Sequence, residues 1–334
     1  MLASDDMTED EEAPLGARIA VVVPCLNEEL TVAAVVEGFS AALPGCTVYV
    51  YDNGSTDETS TLAAKAGAVV RQVATTGKGH VVRRMFADVE ADVYVLVDGD
   101  DTYDAGIARA MVDLVLAGND LVSARRVSVD PTTDRRGHAF GNLVLTSLVQ
   151  FLFQRSVTDM LSGYKTMSRR FVKSFPAMSR GFEIETEIAV AALSLGAPVA
   201  TVDSRYRARP DGSESKLSTY KDGFRILSTV LHLLRQGRPL LFFGIIGLVL
   251  GIAAIVLGVP IIETYARTHL VPRFPTAILA TGLVLLAALS FTAGLILDTV
   301  SRGGLEARLL HYLSIPGPLA VARPAGEEPP SQAG

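Results

Sequence analysis

Arg18-Ile19-Ala20-Val21-Val22-Val23-Pro24-Cys25-Leu26-Asn27-Glu28-Glu29 is the stretch whose reading decides the fold. Its first residues, 18–23, are read as a strand; after Arg18 the run is apolar with no polar face, and a strand of that kind needs cover on both sides. The polar residues that follow hand over to a helical pattern across 28–42. Working outward, the same unit recurs. Further strands are predicted at 47–51, 68–72, 93–97, 121–124 and 199–206, with helices at 57–66, 78–90 and 104–116 between them. Strand–helix alternation predicts an α/β fold, a mostly parallel sheet with helices on both faces. Ligands of such sheets bind beyond the carboxyl ends of the strands.

The chain has 334 residues, 49% hydrophobic and 20% charged, with a mean hydropathy of +0.33. That composition excludes disorder over most of its length. Asp and Glu outnumber Lys and Arg by 36 to 30, but Asp5, Asp6, Glu9, Asp10, Glu11 and Glu12 account for the whole excess. Without this acidic start, residues 1–16, the chain is balanced, so no nucleic-acid partner is expected. Cys25 and Cys46 lack metal-ligand spacing and point to a reducing compartment. The five histidines are scattered, which argues against a histidine metal site.

The apolar excess lies near the C-terminal end. Residues 240–262 and 274–297 carry no charge, and at ~1.5 Å rise per residue each spans the ~30 Å hydrocarbon core of a bilayer. Two membrane helices are expected, 239–262 and 274–298; two buried core helices are the alternative. Gly244, Gly247, Gly251 and Gly258 suit close helix packing in lipid and leave room for a homo-oligomer through the spans. Arg235, Arg238, Arg302 and Arg308 flank the spans, against Arg267 and Arg273 between them. The expected topology keeps the N-terminal domain and the C-terminus on the cytoplasmic side of the cell (inner or plasma) membrane. Leu217, Tyr220, Phe224, Leu227, Leu231 and Leu234 form one helical stripe with Lys221, Arg225 and Arg235 off it. A basic amphipathic helix over 216–238 that lies in the interface is expected, or else a core-facing helix with a solvated side. Residues 315–334 read as a second disordered tail.

Three polar clusters fall where predicted strands end: Pro24-Cys25-Leu26-Asn27-Glu28, Asp52-Asn53-Gly54-Ser55-Thr56-Asp57 and Asp98-Gly99-Asp100-Asp101-Thr102-Tyr103. The second alone is also a turn followed by a helix cap. The third places three carboxylates at a strand end, where they repel unless a cation joins them. Hard carboxylate oxygens suit Mg²⁺ or Mn²⁺.

In this order the clusters resemble the donor site of family 2 glycosyltransferases with the GT-A (nucleotide-diphospho-sugar transferase) fold. The resemblance continues through Thr158-Asp159-Met160-Leu161-Ser162-Gly163-Tyr164-Lys165, Gly181-Phe182-Glu183-Ile184-Glu185-Thr186-Glu187 and Tyr206-Arg207-Ala208-Arg209-Pro210. It is similar to the polyprenyl-phosphate glycosyltransferases, such as dolichyl-phosphate mannose synthases and undecaprenyl-phosphate glucosyltransferases. The resemblance implies a catalytic domain over 17–215 and an enzyme that moves a sugar from a nucleotide-sugar to a polyprenyl phosphate with inversion. UDP-N-acetylglucosamine or UDP-glucose is the favoured donor and GDP-mannose the alternative.

The resemblance further implies that Pro24, Asn27, Glu28, Asp52, Asn53, Lys78, Asp98, Gly99 and Asp100 bind the donor. Asp98 and Asp100 would hold the metal, and with Arg207 they make the expected catalytic set. Arg125, Arg126, Arg205, Arg207 and Lys216 are candidates for the acceptor phosphate. Lys78 is otherwise an ordinary helix start. Glu183, Glu185 and Glu187 either orient sugar hydroxyls or form a solvated helix face. A processive polysaccharide synthase would need a Gln-x-x-Arg-Trp motif, and the chain has no Trp. A non-catalytic membrane-anchored partner module is disfavoured because both Asp98 and Asp100 are present.

Overall fold

The computed structural model describes residues 16–128, 162–181, 183–207, 235 and 238–317. Expectations for the acidic start, for nearly all of the amphipathic stretch, for Lys216 and for most of the C-terminal tail lie outside these residues. The described residues fall into two compact units: the sheet domain with residues 312–317, and residues 235 and 238–311.

The first unit runs β1 (Ile19–Cys25), α1 (Val32–Ala42), β2 (Thr47–Asp52), α2 (Thr59–Lys65), β3 (Val69–Gln72), α3 (Lys78–Asp88) and β4 (Val93–Leu96). After a 3₁₀ turn at Ala105–Ile107 come α4 (Ala108–Leu116), β5 (Leu121–Ser128), β6 (Lys165–Ser168), α5 (Arg169–Ser174), α6 (Ile184–Leu195) and β7 (Val199–Tyr206). The seven strands lie in the order β3-β2-β1-β4-β6-β5-β7. All are parallel except β6, which runs antiparallel to both β4 and β5.

β1 is central because it can be. Val21, Val22 and Val23 are fully buried, each worth about 1.5–3 kcal/mol of burial. Val21 and Val23 pack with Val35, Val36 and Phe39 of α1 and Met111 and Val112 of α4. Ala20 and Val22 pack on the other face with Val81, Val82 and Met85 of α3 and Ile184 and Ile188 of α6. The strand continues past 23 to Cys25, and Pro24 is tolerated there because pairing with β4 has already ended at Val22. From β1 the chain winds one way to β2 and β3, then crosses back to β4. The ends of β1 and β4 therefore border the crevice where the winding reverses, the usual ligand position in such sheets.

Two expectations shift. α1 starts at Val32 rather than Glu28, because Asn27 turns the chain with φ +51° and the following residues are drawn into a loop. β6 has no forecast counterpart. Its sequence, Lys165-Thr166-Met167-Ser168, alternates no apolar face, yet all four residues are buried. Two of its polar side chains find partners: Lys165 Nζ donates to Ser123 Oγ at 3.3 Å, and Ser168 Oγ to Asp120 Oδ1 at 2.6 Å, while the buried Thr166 hydroxyl has none among the described residues.

The second unit contains α7 (Pro239–Thr268) and α8 (Phe274–Ser314) up to His311, and both helices are long and apolar enough to cross a membrane. They extend beyond the expected spans 239–262 and 274–298. A Cβ at Gly247 would meet the Ala287 carbonyl oxygen at 3.1 Å, and one at Gly294 would meet Phe243 Cβ at 3.0 Å. Gly247 and Gly294 thus let the helices approach. Gly244, Gly251 and Gly258 do not share that contact and have nothing within 4 Å of an added Cβ. At ~100° per residue they lie roughly 60°, 40° and 20° around the helix from Gly247, so place along the helix as well as face separates them from it.

Inside the first unit, the buried Tyr164 hydroxyl has no hydrogen-bond partner among the described residues. Its ring meets Phe39 and Tyr103 edge-on at centroid distances of 5.6 Å. An orphaned buried hydroxyl costs about 1–3 kcal/mol. Tyr164→Phe should therefore raise stability by about 1 kcal/mol, seen as a higher thermal unfolding midpoint in detergent.

Candidate active site

The loops after β1 and β2 are stitched together by hydrogen bonds. Asn27 N donates to Ser55 Oγ, Thr56 N donates to Asn27 Oδ1 and Glu28 N donates to Thr59 Oγ1, each at 2.8 Å. Thr31 Oγ1 donates to the Gly99 carbonyl at 2.6 Å and ties this pair of loops to the one after β4.

Asp52 is buried at the end of β2 and accepts from Ser55 N (2.8 Å), Ser60 Oγ (2.5 Å) and Gln72 Nε2 (3.1 Å). Burial alone would raise its pKa, but these donors outweigh it and hold the carboxyl below its usual value. Asn53 acts as a staple. Its amide donates to the carbonyls of Val73 (3.0 Å) and Thr75 (2.8 Å), and its oxygen accepts from Gly77 N (2.7 Å). That fixes the chain entering α3, whose first residue is Lys78. Gly77 has φ +124°, and a side chain there would overlap the Arg180 carbonyl. Gly79 N donates to that same carbonyl at 3.1 Å. The Gly77-Lys78-Gly79 pattern is therefore the signature of a helix start pressed against another backbone.

Lys78 is buried between two carboxylates. Its ammonium donates to Asp98 Oδ1 and, at 2.5 Å, to Glu185 Oε1. Burial alone would lower the Lys78 pKa, but the two carboxylates prevail and raise it, so the group stays charged. Glu185 is thus no part of a solvated helix face. Glu187 accepts from Met178 N (2.9 Å) and Ser179 N (2.7 Å) and orders the chain beside α3. Asp98 leaves no room beside it: a Cβ at Gly163 would overlap its Oδ2. A Cβ at Gly99 would lie 2.6 Å from the buried Cys25 Sγ. Asp100 is buried and accepts from Thr102 Oγ1 at 2.6 Å.

The end of β7 closes on this acidic loop. Arg207 N donates to the Thr102 carbonyl at 2.9 Å, and Tyr103 bridges to Tyr206. The structure thereby brings Arg207 to the acidic loop, where its charge opposes the upward push of burial on the Asp101 pKa. The other candidate cations differ in their surroundings. Arg125 is held by Asp203 through two 2.7 Å bonds on the exposed sheet surface. Arg126 lies 5.6 Å from the centre of the Tyr206 ring, and Arg205 is exposed. Lys165, fully buried on the α3 and α6 side, was not singled out for a role. Its signal was the Gly163-Tyr164-Lys165 run, where a glycine and a lysine flank an aromatic residue.

No group of three or more His, Cys, Asp or Glu gathers to hold a metal among the described residues. The hard oxygens of Asp98 and Asp100 fit Mg²⁺ or Mn²⁺ only where phosphates complete the shell, which is how Mg²⁺ is commonly bound.

Residues 20–175 match the family model described as glycosyl transferase family 2. Glycosyltransferase AglJ of Haloferax volcanii is 33% identical over 241 residues, which is 70% of this chain and 78% of that protein. The chain belongs to glycosyl transferase family 2 and is a glycosyltransferase. A dolichyl-phosphate hexose transferase of the same organism is 27% identical over 66% of this chain and 95% of its own length. Glucosyl-3-phosphoglycerate synthase of Mycobacterium tuberculosis, solved with Mn²⁺, UDP-glucose and phosphoglyceric acid, superposes with a TM-score of 0.52. It is 27% identical, covering 66% of this chain and 79% of that one.

Gly163→Ala should displace the Asp98 carboxylate and lower sugar transfer on the order of 100-fold while the protein still folds. Gly304→Ala, on α8 with nothing within 4 Å of the added atom, should leave transfer unchanged. Equal rates for the two variants would remove Asp98 from the reaction.

Proposed function

We propose that the chain transfers a sugar from a nucleotide-sugar, UDP-N-acetylglucosamine or UDP-glucose, to a polyprenyl phosphate with inversion at C1. The observation that carries this reading is the closure of β7 on the acidic loop, which brings Arg207 to the loop that carries Asp100 and Asp101. A cation for an acceptor anion then stands next to carboxylates suited to a donor's metal. Two helices of membrane length support a lipid acceptor, as does the likeness to a dolichyl-phosphate hexose transferase. The UDP-glucose complex of the mycobacterial synthase supports the choice of nucleotide.

In this reading Pro24, Asn27 and Glu28 line the nucleoside pocket, with Asn27 and Asn53 also holding its walls. Asp52, kept ionised, accepts a hydrogen bond from the base. Asp98 and Asp100 would hold Mg²⁺ or Mn²⁺, which would supply positive charge for the departing nucleoside diphosphate. Lys78 and Gly99 sit along the diphosphate. Arg126, Arg205 and Arg207, with Arg125 at the margin, gather the acceptor phosphate, and Lys216 is a further candidate from the sequence. A lipid monophosphate is mostly dianionic at neutral pH, because its second pKa is near ~6. Its oxygen attacks C1 as the bond to the nucleoside diphosphate breaks, and no general base is required. The chain's task is to position two anions and screen their repulsion.

The experiment incubates membranes holding the chain with labelled UDP- and GDP-sugars and polyprenyl phosphate, then extracts the lipid. Label from a UDP-sugar should enter the lipid; label from GDP-mannose alone would replace the donor assignment, and none from either would remove the lipid acceptor. Asp100→Asn should abolish transfer with folding intact, and full activity in excess chelator would remove the metal. Arg207→Ala should lower acceptor use more than donor affinity measured by calorimetry.

The same reading puts the sheet domain and the C-terminus at the cytoplasmic face of the cell membrane, where nucleotide sugars are found. A cysteine at Thr268 should react with a membrane-impermeant thiol reagent in intact cells, and one at Ser331 should not. The opposite labelling pattern would reverse the topology.

A further inference from the structure

We propose that the Lys78 ammonium is a built-in counter-ion that keeps a free divalent cation off Asp98 until a nucleoside diphosphate draws the ammonium away. The inference rests on the metal-dependent reading above and extends it to the order in which the site fills. Three features carry it. Lys78 is paired with both Asp98 and Glu185. The lysine and Glu185 side chains are only 9% and 10% exposed, whereas Asp98 is 26% exposed and so faces the space a ligand enters. The start of α3 is fixed by the Asn53 bonds and by the fit of Gly77 and Gly79 against residues 179–180, so the ammonium is tethered beside these acids.

A metal arriving alone meets a carboxylate already neutralised by a tethered positive group, and it must approach that group against like-charge repulsion. A diphosphate changes both conditions together. It offers the flexible lysine stem a stronger anionic partner, and it supplies the phosphate oxygens that the sparse protein donor set needs. Glu185 is the positioning residue, holding the lysine in the site as Asp98 changes partner. Metal and nucleotide are thereby coupled, and such coupling is reciprocal.

Lys78→Met alone would leave two buried carboxylates unpaired and endanger the fold. The test therefore uses Lys78→Met together with Glu185→Gln, which keeps the space filled and neutral, in the full chain in detergent. Mn²⁺ uptake is followed by loss of the free-ion paramagnetic signal, with and without UDP. Wild type should bind Mn²⁺ weakly alone and at least about tenfold more tightly with UDP, within the usual range of coupling. The double variant should bind Mn²⁺ without UDP at least about tenfold more tightly than wild type does, despite having lost one negative charge. Adding Asp98→Asn should abolish that gain. If Mn²⁺ binds wild type and double variant alike in the absence of UDP, Lys78 excludes nothing and the proposal fails while the metal reading stands. If wild type takes up no Mn²⁺ even with UDP, the metal reading fails and takes the proposal with it.

Discussion

The ion cluster of Lys78, Asp98 and Glu185 is the constraint around which the sheet domain is arranged. Charges this far from water are costly unless each is paired, and breaking such a set by removing one member costs about 3–5 kcal/mol. Each member reaches the cluster from a different element: α3, the end of β4 and α6. The backbones must therefore come close, and they do so at Gly77, Gly79 and Gly163, where any side chain would collide. Asn53 contributes from β2 by fixing the approach to α3. Donor-side chemistry is thus held by polar pairing and glycine contacts above a core that is otherwise apolar.

Much of this architecture was legible in the sequence because it rests on local patterning. Runs such as Ile19–Val23 and Val93–Leu96 are apolar throughout and read as strands buried on both faces, and the polar clusters fall in the loops at their ends. β6 was not legible. Its Lys165, Thr166 and Ser168 are buried by tertiary pairing with β4 and β5, which no local periodicity records. The role of Glu185 was hidden for a similar reason. Three glutamates at alternating positions on a helix suggest a wet face, and only the distant Lys78 turns one of them inward. Asn53 was read as a ligand residue, whereas its three hydrogen bonds go to the protein's own backbone.

The membrane-length helices show the same division between local and distant information. Their existence followed from the absence of charge over long runs, whereas the face by which they meet did not. Glycine content alone cannot tell Gly247, which touches the neighbouring helix, from Gly244, Gly251 and Gly258, which do not. Place along the helix against the partner decides: Gly247 meets Ala287, Ser290 and Phe291, a level that no local pattern records.

The contact between Gly99 and Cys25 bears on chemical durability. The thiol lies beneath the acidic loop, fully enclosed, and burial together with the carboxylates of Glu28, Asp52, Asp98 and Asp100 pushes its pKa well up. Oxidants react with the thiolate and need access to sulfur; here the sulfur is protonated and covered. An added oxygen atom on this buried sulfur would crowd packing that already leaves no space for a side chain at Gly99, in the loop that carries Asp98 and Asp100. The most oxidisable atom near the reaction centre thus sits where its modification would do most harm, shielded by the same carboxylates and close packing that shape the site.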